Sequence, residues 1–340
     1  MTSIPDRSPT GSALAPGPEF DLIRRFLARA EEDGPRADVR VGPGDDCAVV
    51  VGGGIALSSD MAVEEVHFRR DWLTARETGY RAAAAALSDL AAVAARPIGV
   101  LASLAVRKED AGTYAEQVMD GVRDAVRSVG GVLLGGDLTR AVDATVIDVT
   151  AVGECGDAVL RSGAEPGDDV WVTGALGGAA AWVGGMLRGD IPHPAAREPF
   201  AAPVPRTREA IWLRERGVPR AMVDLSDGLA GDAAHLAAAS GVAIVLELDA
   251  VPVHEGARGS AESEGEALAL ALAGGEDYEL CFCARAGSVR EHVAEFMQRF
   301  GVALTRVGRV EAGAGVWRTD ARGGRMPLGM EGFQHFGGGA

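Results

Sequence analysis

Short apolar runs that alternate with helix-like segments constrain the fold of this chain more than any other feature. "DCAVVV" at 46–51 and "IALSSD" at 55–60 have the length and composition of two strands joined by a tight glycine turn. An Ala-rich segment follows at 74–96 and stops before Pro97. Because its side chains are small, it predicts a helix that packs very close to a sheet. The chain is therefore expected to fold as helices layered on sheets.

The rest of the first half continues the alternation. Its further predicted elements are a strand at 98–106, a helix at about 110–128, a strand that ends at 137 and a β run at 144–153. This ββαβαββ order is typical of an α+β sandwich with helices on one face of a mixed sheet.

The second half predicts a separate α/β domain. Gly and Pro in "RSGAEPGDDV" at 161–170 are typical of a linker. Beyond this point, predicted strands at 169–174, 221–225, 242–248, 278–283 and 302–310 alternate with predicted helices near 177–188, 205–216, 228–240, 264–273 and 287–300. We place the two domains at 19–155 and 156–340. Residues 1–18 are rich in Pro, Gly and Ser and are interpreted as a disordered tail.

Composition excludes several classes of protein. The 340 residues are enough for two cores, and the net charge of −16 argues against a general nucleic-acid or anionic-membrane surface. No apolar run approaches the roughly 18 residues of a membrane span. The four cysteines lack disulfide or zinc spacing and are interpreted as core thiols. These features indicate a soluble cytoplasmic protein.

The chain has a single lysine, Lys108, far from any glycine-rich loop. A Walker-type nucleotide site requires a lysine at the end of its glycine-rich loop, and a protein-kinase fold requires one on a strand. Both are excluded. If the chain binds ATP, metal ions and arginines must neutralise the phosphates.

Acidic residues recur at predicted strand ends beside Gly or Ser. Six such clusters lie at 44–46, 58–60, 87–90, 135–137, 224–228 and 274–279. Any one of them is more often a structural turn than a site. Carboxylate and hydroxyl oxygens are the ligands of Mg²⁺, however, and small neighbours let a cation approach. Six clusters in one acidic chain therefore indicate bound divalent cations.

"DLSDG" at 224–228 is the most specific cluster, because Asp224 and Asp227 are close enough in sequence to face one ion. Ser226 is placed either to cap the following helix or to contact a phosphate at its N-terminus. Asp89 lies within the Ala-rich helix, where a carboxylate is costly unless it is paired or coordinating. A lone histidine is usually an ordinary surface or core residue, so His67 taken alone is not predicted to be a site residue.

Seven motifs together resemble the thiamine-monophosphate kinases. They are "GPGDDCAVV", "SSD" with "VHF", "ALSDLAA", "GGDLTR", "LRSGAEPGD", "VDLSDGL" and "GGEDYEL", and the resemblance extends from about residue 19 to "GFQHF" near the C-terminus. It implies a two-domain homodimer of the aminoimidazole-ribonucleotide-synthetase type, in which the N-terminal ATP- and Mg-binding domains associate. It also implies transfer of the γ-phosphoryl group of ATP to thiamine monophosphate, the final step in making thiamine diphosphate, with several Mg²⁺ ions.

The resemblance also implies roles for particular residues. The implied metal ligands are Asp46, Ser58, Ser59, Asp60, Asp89, Asp137, Asp224 and Asp227. The implied nucleotide contacts are Gly136, Arg161 and Ser226, and the implied acceptor contacts are His67, Glu276 and Phe333. Among all of these, Asp46, Asp227 and Arg161 are expected to be catalytic. Transfer is expected to be direct, because a phosphate monoester with a second pKa of about 6 carries no proton that a base must remove at neutral pH.

Two alternatives remain open. Other enzymes of the same superfamily use ATP differently, although selenophosphate synthetase is disfavoured because the chain lacks a reactive Cys followed by Lys near its N-terminus. "GGEDYEL" and "VDLSDGL" favour the thiamine enzyme over those of purine synthesis. The second alternative is a non-catalytic protein that binds nucleotide or divalent cations on the same scaffold.

Overall fold

A computed structural model describes residues 39–41, 47–50, 54–319 and 324–329. Asp46, Phe333 and the predicted tail at 1–18 lie outside the described residues. In the first half the strands are Val39–Val41 (β1), Ala48–Val50 (β2), Ile55–Val63 (β3), Arg96–Val106 (β4), Val132–Arg140 (β5) and Val146–Glu154 (β6). The helices are Ala75–Ala92 (α1) and Thr113–Ser128 (α2), with a 3-10 turn at Lys108–Asp110.

These strands form one six-stranded sheet in the order β1-β2-β3-β6-β4-β5. Only β4 and β5 pair in parallel; the other neighbours are antiparallel. Helices α1 and α2 pack on one face and enclose the first core. The predicted mixed sheet with helices on one face is confirmed, with β1 as an additional short strand.

Helix α1 packs closely against both neighbouring layers. A capping box fixes its start: Thr74 and Glu77 each accept a hydrogen bond from the other's backbone N–H. A Cβ added to Gly79 of α1 would clash with the carbonyl oxygen of Val118 in α2. On the sheet side, a Cβ on Gly153 of β6 would lie 3.1 Å from Leu90 Cδ2. The prediction that the Ala-rich helix would pack very close to a sheet is therefore confirmed.

The second half contains seven strands and seven helices within the described residues. The strands are Asp168–Thr173 (β7), Ala221–Asp224 (β8), Ala243–Leu246 (β9), Leu280–Arg285 (β10), Leu304–Glu311 (β11), Gly315–Thr319 (β12) and Arg325–Pro327 (β13). The helices are Gly178–Arg188 (α3), Arg197–Ala201 (α4), Thr207–Glu215 (α5), Leu229–Ser240 (α6), Glu255–Ser260 (α7), Glu264–Ala273 (α8) and Val293–Phe300 (α9), with 3-10 turns at Pro194–Ala196 and Leu248–Ala250.

The seven-stranded sheet has the order β13-β12-β9-β11-β7-β10-β8, and only β12 and β9 pair in parallel. Strict strand–helix alternation is typical of parallel sheets, so this direction pattern differs from what an α/β reading suggests. The cause is α7, which the sequence did not reveal. Because α7 and α8 both lie between β9 and β10, the chain reverses direction, and β10 and β11 run opposite to the three preceding strands.

Helix α1 also contacts the second half of the chain. Ala91 of α1 and Ala94, which lies just beyond the end of this helix, share a core with Trp171 and Met222 of the second sheet. Arg214 of α5 donates to the carbonyl of Ala94 at 2.8 Å. The helix is therefore buried between the two sheets, and residues on it can reach both halves.

All four cysteines are buried and none of them forms a disulfide, as predicted for core thiols. Among the described residues, no helix combines the length and the apolar character that crossing a membrane requires.

Candidate active site

Two consecutive residues of α1 connect the halves of the molecule. Ser88 Oγ donates to Asp224 Oδ2 at 2.6 Å, and both side chains are almost fully buried. The next residue, Asp89, accepts a hydrogen bond from Ser58 Oγ of β3. The sequence predicted that Asp89 must be paired or coordinating, and its pairing is confirmed. The end of β8 and the middle of β3 therefore meet at α1.

Strand β3 carries polar side chains on both faces of the sheet. Ser58 and Asp60 face the helix-covered side, and Ser59 faces the other side, because successive side chains of a strand alternate. Burial raises the pKa of Asp60 to about 6, and the neighbouring carboxylate of Asp148 adds to the rise. A nearby cation would therefore favour the charged form of Asp60.

Ser59 and Asp137 both belong to the outer face of the sheet. Ser59 Oγ donates to Asp148 Oδ1 at 3.1 Å. Asp148 lies opposite Ser103 on β4, and Ser103 lies opposite Asp137 on β5. Within one chain the sheet therefore separates these predicted ligands from Ser58 and Asp60. Asp148 was not identified from the sequence, although the alternation of buried and more exposed side chains along β6 places it on the outer face.

Gly136 has a structural reason to be glycine. Its φ of 153° and its position opposite Ala102 would bring an added Cβ into the Ala102 carbonyl. The close approach of β4 and β5 therefore requires this residue to be glycine, and its predicted contact with nucleotide stays a prediction.

The "DLSDG" loop joins β8 to α6. Gly228 is the N-cap of α6 and no side chain caps this helix, so of the two roles left open for Ser226, capping is contradicted. Instead, Asp232 reaches back from the first turn, and its Oδ2 accepts from the backbone N–H of Asp227 at 3.0 Å. The buried side chain of Asp232 thereby fixes the conformation of the loop.

Asp232 also belongs to a cluster that sequence reasoning did not assemble. Ligand atoms of Asp227, Asp232 and His235 all lie within 4.8 Å of one another. Burial raises the pKa of Asp232 well above its usual value, the carboxylates of Asp227 and Asp224 add to this, and Arg161 opposes it. The carboxylates of Asp224 and Asp227 and the guanidinium of Arg161 are therefore all near enough to Asp232 to influence its charge. The signal for the missed pair was their spacing of three on one helix, which places both on one face.

The "GGEDYE" loop runs beside the "DLSDG" loop. Glu276 N–H donates to Ser226 O at 2.8 Å, and Tyr278 N–H donates to Leu225 O at 2.9 Å. Glu276 and Tyr278 have φ values of 72° and 51°, in the left-handed region that costs a non-glycine residue about 1–3 kcal/mol. Such strain persists where the surroundings over-determine the backbone, so this loop is held in one conformation.

Flanking acidic residues anchor the same loop to its scaffold. Asp277 Oδ2 accepts from Gly177 N–H at 2.7 Å, at the start of α3. Glu279 accepts from Thr173 Oγ1 and from Arg206 Nε, the latter at 2.8 Å. These two acidic residues therefore have structural roles, and Glu276 is left as the acidic residue of the loop that points toward α1.

Glu276 forms an ion pair with Arg81 of α1. Tyr278 is buried beside this pair; burial raises its pKa well above the usual value, and the carboxylates of Glu276, Asp60 and Asp224 also raise it. Carboxylates from three separate motifs therefore all oppose ionisation of this one buried phenol.

His67 lies at the far end of β3, in the turn that closes this strand. Its ring Nδ1 accepts from the backbone N–H of Val63 at 3.1 Å, and the backbone N–H of His67 donates to Val63 O at 2.9 Å. His67 therefore lies in the turn beyond the end of the strand that carries Asp60, and the hydrogen bond from Val63 fixes the orientation of its ring.

The donor set fits Mg²⁺. Asp60, Asp89, Asp224 and Asp227 offer oxygen ligands, and burial beside the carboxylate of Asp148 raises the pKa of Asp60. Hard divalent cations prefer such oxygen ligands and would offset this repulsion.

Two family models match the chain. The N-terminal domain of AIR synthase related protein matches residues 44–155, and its C-terminal domain matches residues 165–318. Together these matches cover most of the chain and correspond to the two sheets.

Curated and solved relatives are similar over nearly the whole length. The thiamine-monophosphate kinase of Methanopyrus kandleri is 34% identical over 312 residues, which cover 91% of this chain and 95% of that protein. The crystal structure of thiamine-monophosphate kinase from Stenotrophomonas maltophilia is 33% identical with a TM-score of 0.71, covering 88% of this chain and 96% of that one. AaThiL complexed with AMPPCP and TMP is 28% identical with a TM-score of 0.77, covering 92% and 96%. The chain therefore belongs to the AIR synthase related family and, within it, to the thiamine-monophosphate kinases.

Proposed function

We propose that this protein transfers the γ-phosphoryl group of ATP to thiamine monophosphate and so makes thiamine diphosphate, the final step in the synthesis of that cofactor. The relatives with this name cover almost the whole chain, and one similar structure holds AMPPCP, an analogue of ATP, together with TMP. The observation that carries the proposal is the convergence of the "DLSDG" and "GGEDYE" loops with Asp60 and Asp89 beside α1.

Several Mg²⁺ ions belong to this proposal. On the helix-covered side of the first sheet the proposed ligands are Ser58, Asp60, Asp89, Asp224 and Asp227; on the outer side they are Ser59 and Asp137, and Asp46 completes the set. Bound magnesium would neutralise the phosphates of both substrates, which this acidic chain cannot do with lysines. Asp227 and Asp46 are proposed as the carboxylates on which turnover depends most.

The two substrates are assigned to different parts of the site. Arg161, which lies near Asp232, is proposed as a phosphate clamp, because a guanidinium can bind phosphate in bidentate fashion. Gly136 and Ser226 are proposed as further nucleotide contacts. His67, Glu276 and Phe333 are proposed to contact thiamine monophosphate, with Glu276 facing its cationic ring.

Transfer is proposed to be direct and in line. The accepting oxygen belongs to a phosphate that is mostly a dianion at neutral pH, so the residues only have to orient two polyanions and exclude water. Chiral γ-phosphoryl ATP is expected to give product with inverted configuration at phosphorus. Retention, or a trapped phospho-aspartate or phospho-histidine, would contradict direct transfer.

A homodimer is part of the proposal. Met61, Leu101, Val132 and Leu134 are all substantially exposed on the face of the first sheet opposite α1 and α2. An uncovered apolar sheet face is typical of an interface. The division into an N-terminal domain at 19–155 and a C-terminal domain at 156–340 is also part of the proposal. The protein is proposed to be cytoplasmic, because none of its four cysteines forms a disulfide and cytoplasmic thiols stay reduced.

The test of the main proposal is a product assay. Purified protein is incubated with Mg-ATP and thiamine monophosphate, and thiamine diphosphate is measured against Asp227→Asn as the inactive control. Formation of thiamine diphosphate by the wild type alone supports the proposal. Absence of product with intact binding of nucleotide would favour the non-catalytic alternative.

A further inference from the structure

Arg81 of α1 is a buried arginine that touches the second half of the chain. One of its terminal nitrogens contacts the Glu276 carboxylate and the other donates to the carbonyl oxygen of Phe200. Its guanidinium carbon also lies 4.4 Å from the centroid of the Phe200 ring. Only 5% of Arg81 is exposed, and a buried charge is tolerated only with such partners.

Glu276 is held differently from Arg81. Its backbone is fixed in the left-handed region by the hydrogen bond to Ser226 O, whereas its side chain remains 33% exposed. The position of the carboxylate therefore depends on the ion pair with Arg81. The fixed guanidinium therefore determines the orientation of the Glu276 carboxylate.

One face of α1 serves both ends of the site. Arg81 and Ser88 are seven residues apart, which is two helical turns and about 10 Å along the axis. Arg81 contacts the "GGEDYE" loop, and Ser88 donates to Asp224 of the "DLSDG" loop. A displacement at either position changes one loop relative to the other.

We propose that Arg81 is a positioning residue of the acceptor site, acting through Glu276. It holds the Glu276 carboxylate ready for the cationic ring of the acceptor, so that this side chain is ordered before the acceptor binds. The inference rests on the proposed function, because that function makes Glu276 an acceptor contact.

The first measurement is the effect of Arg81→Met on each substrate separately. Ordering a flexible carboxylate on binding costs affinity, so we expect the KM for thiamine monophosphate to rise roughly 3- to 10-fold. The KM for ATP and kcat are expected to stay within about twofold, because Arg81 contacts Glu276 and Phe200, which are not proposed to bind the phosphates. Calorimetric titration of thiamine monophosphate without ATP should show the same loss. The matched control is Arg197→Met. Arg197 lies over the ring of Trp182, which stacks on Phe200, but it pairs with Glu77 and not with Glu276.

The second measurement is coupling with Glu276. If Arg81 acts through Glu276, then Arg81→Met should change the KM for thiamine monophosphate less than about twofold in a Glu276→Gln background. Arg81→Lys keeps the charge but cannot contact Glu276 and Phe200 with one planar fork, so its KM should lie between those of wild type and Arg81→Met. If Arg81→Met does not fold, Arg81→Lys and the double variant, which leaves no unpaired charge, support the same comparison.

The outcomes are distinct. Independent, multiplicative effects of the two substitutions, or equal losses for ATP and thiamine monophosphate, would overturn the positioning role while leaving the kinase activity established. A wild-type protein that makes no thiamine diphosphate would instead overturn the proposed function. A drop in melting temperature with an unchanged KM for both substrates would make Arg81 a purely structural residue.

Discussion

Hydroxyl groups stabilise key carboxylates of the site. Ser58 donates to Asp89 and Ser88 donates to Asp224. A hydroxyl donor stabilises a carboxylate without adding positive charge, so the pocket keeps a negative potential. That potential is what several divalent cations require, whereas arginines paired with each aspartate would have cancelled it.

At Asp227 we predict that replacement by Asn nearly abolishes turnover, by at least about a hundredfold, because electrostatic stabilisation at a phosphoryl-transfer site supplies a large share of catalysis. The melting temperature should stay close to that of the wild type, since the neighbouring Asp232 hydrogen bond goes to the backbone of residue 227 and survives. Steady-state assays across a Mg²⁺ series check this. Asp190→Asn, at an exposed position beside Arg188, is the control. Near-normal activity of Asp227→Asn at limiting Mg²⁺ would contradict the assignment.

Ser88→Ala tests the link between the halves. Asp224 would lose its hydroxyl donor while it stays buried, and a hydrogen bond to a charged group contributes about 1.5–3 kcal/mol. We expect a melting temperature in EDTA that falls by a few degrees and a higher Mg²⁺ concentration for half-maximal activity. Ser128→Ala, which removes only a local bond to Ala125, is the control. An unchanged Mg²⁺ requirement would mean that Ser88 does not position Asp224 for the cation.

At the scale of elements, local patterns predicted most helices and strands, because periodicity and Gly or Pro punctuation act over short distances. The direction of β10 and β11 was not predictable, since it depends on the short helix Glu255–Ser260 that lacks a clear apolar stripe. The strands β12 and β13 were also missed, because β12 pairs with β9, far away in the chain, and β13 at the edge pairs only with β12.

The same limit applies to the site. The acidic clusters were recognisable because each is a local motif, and the pairing of Asp89 followed from its place in an Ala-rich helix. Strand alternation predicts that Ser58 and Ser59 face opposite sides of the sheet. The surroundings of Ser59 become clear only from its hydrogen bond to Asp148 on the outer face. Arg81 escaped notice because its contact with Glu276 joins segments that are distant in sequence. Asp232 contacts the nearby backbone of Asp227, so only its spacing of three from His235 on one helix could have indicated it.

The crossing of α1 and α2 gives a prediction about stability. An added methyl group on Gly79 would clash with the Val118 carbonyl, a backbone atom that cannot move alone. Gly79→Ala should therefore destabilise the protein by roughly 1–3 kcal/mol or more, as overpacking does, measured as a fall in melting temperature. Gly184→Ala in α3 is the control: its nearest neighbour is the end of Arg188 at 3.4 Å, and alanine favours the helix. Equal melting temperatures for both variants would contradict the close packing of these two helices.

At the scale of the whole molecule, α1 determines how the halves cooperate. It closes the first core, shares a second core with Trp171 and Met222, and carries Ser88 and Arg81 to the two loops. A site assembled in this way requires that the two sheets stay docked. Within the part of the chain that the structure describes, no helix packs on the opposite face of the first sheet.

A second copy of the chain is the proposed cover for that face, and Leu101→Glu tests it. Leu101 lies on β4 facing away from α1 and α2 and is 42% exposed, so a glutamate there is tolerated in a monomer but costly inside an apolar interface. We expect sedimentation to show a dimer for the wild type and for Leu187→Glu, an equally drastic change at an exposed site on α3, and a monomer for Leu101→Glu. Because Ser59 and Asp137 lie on the same face as Leu101, the monomeric variant should also lose activity, and raising its concentration should restore both. A dimeric Leu101→Glu protein would exclude this face as the interface.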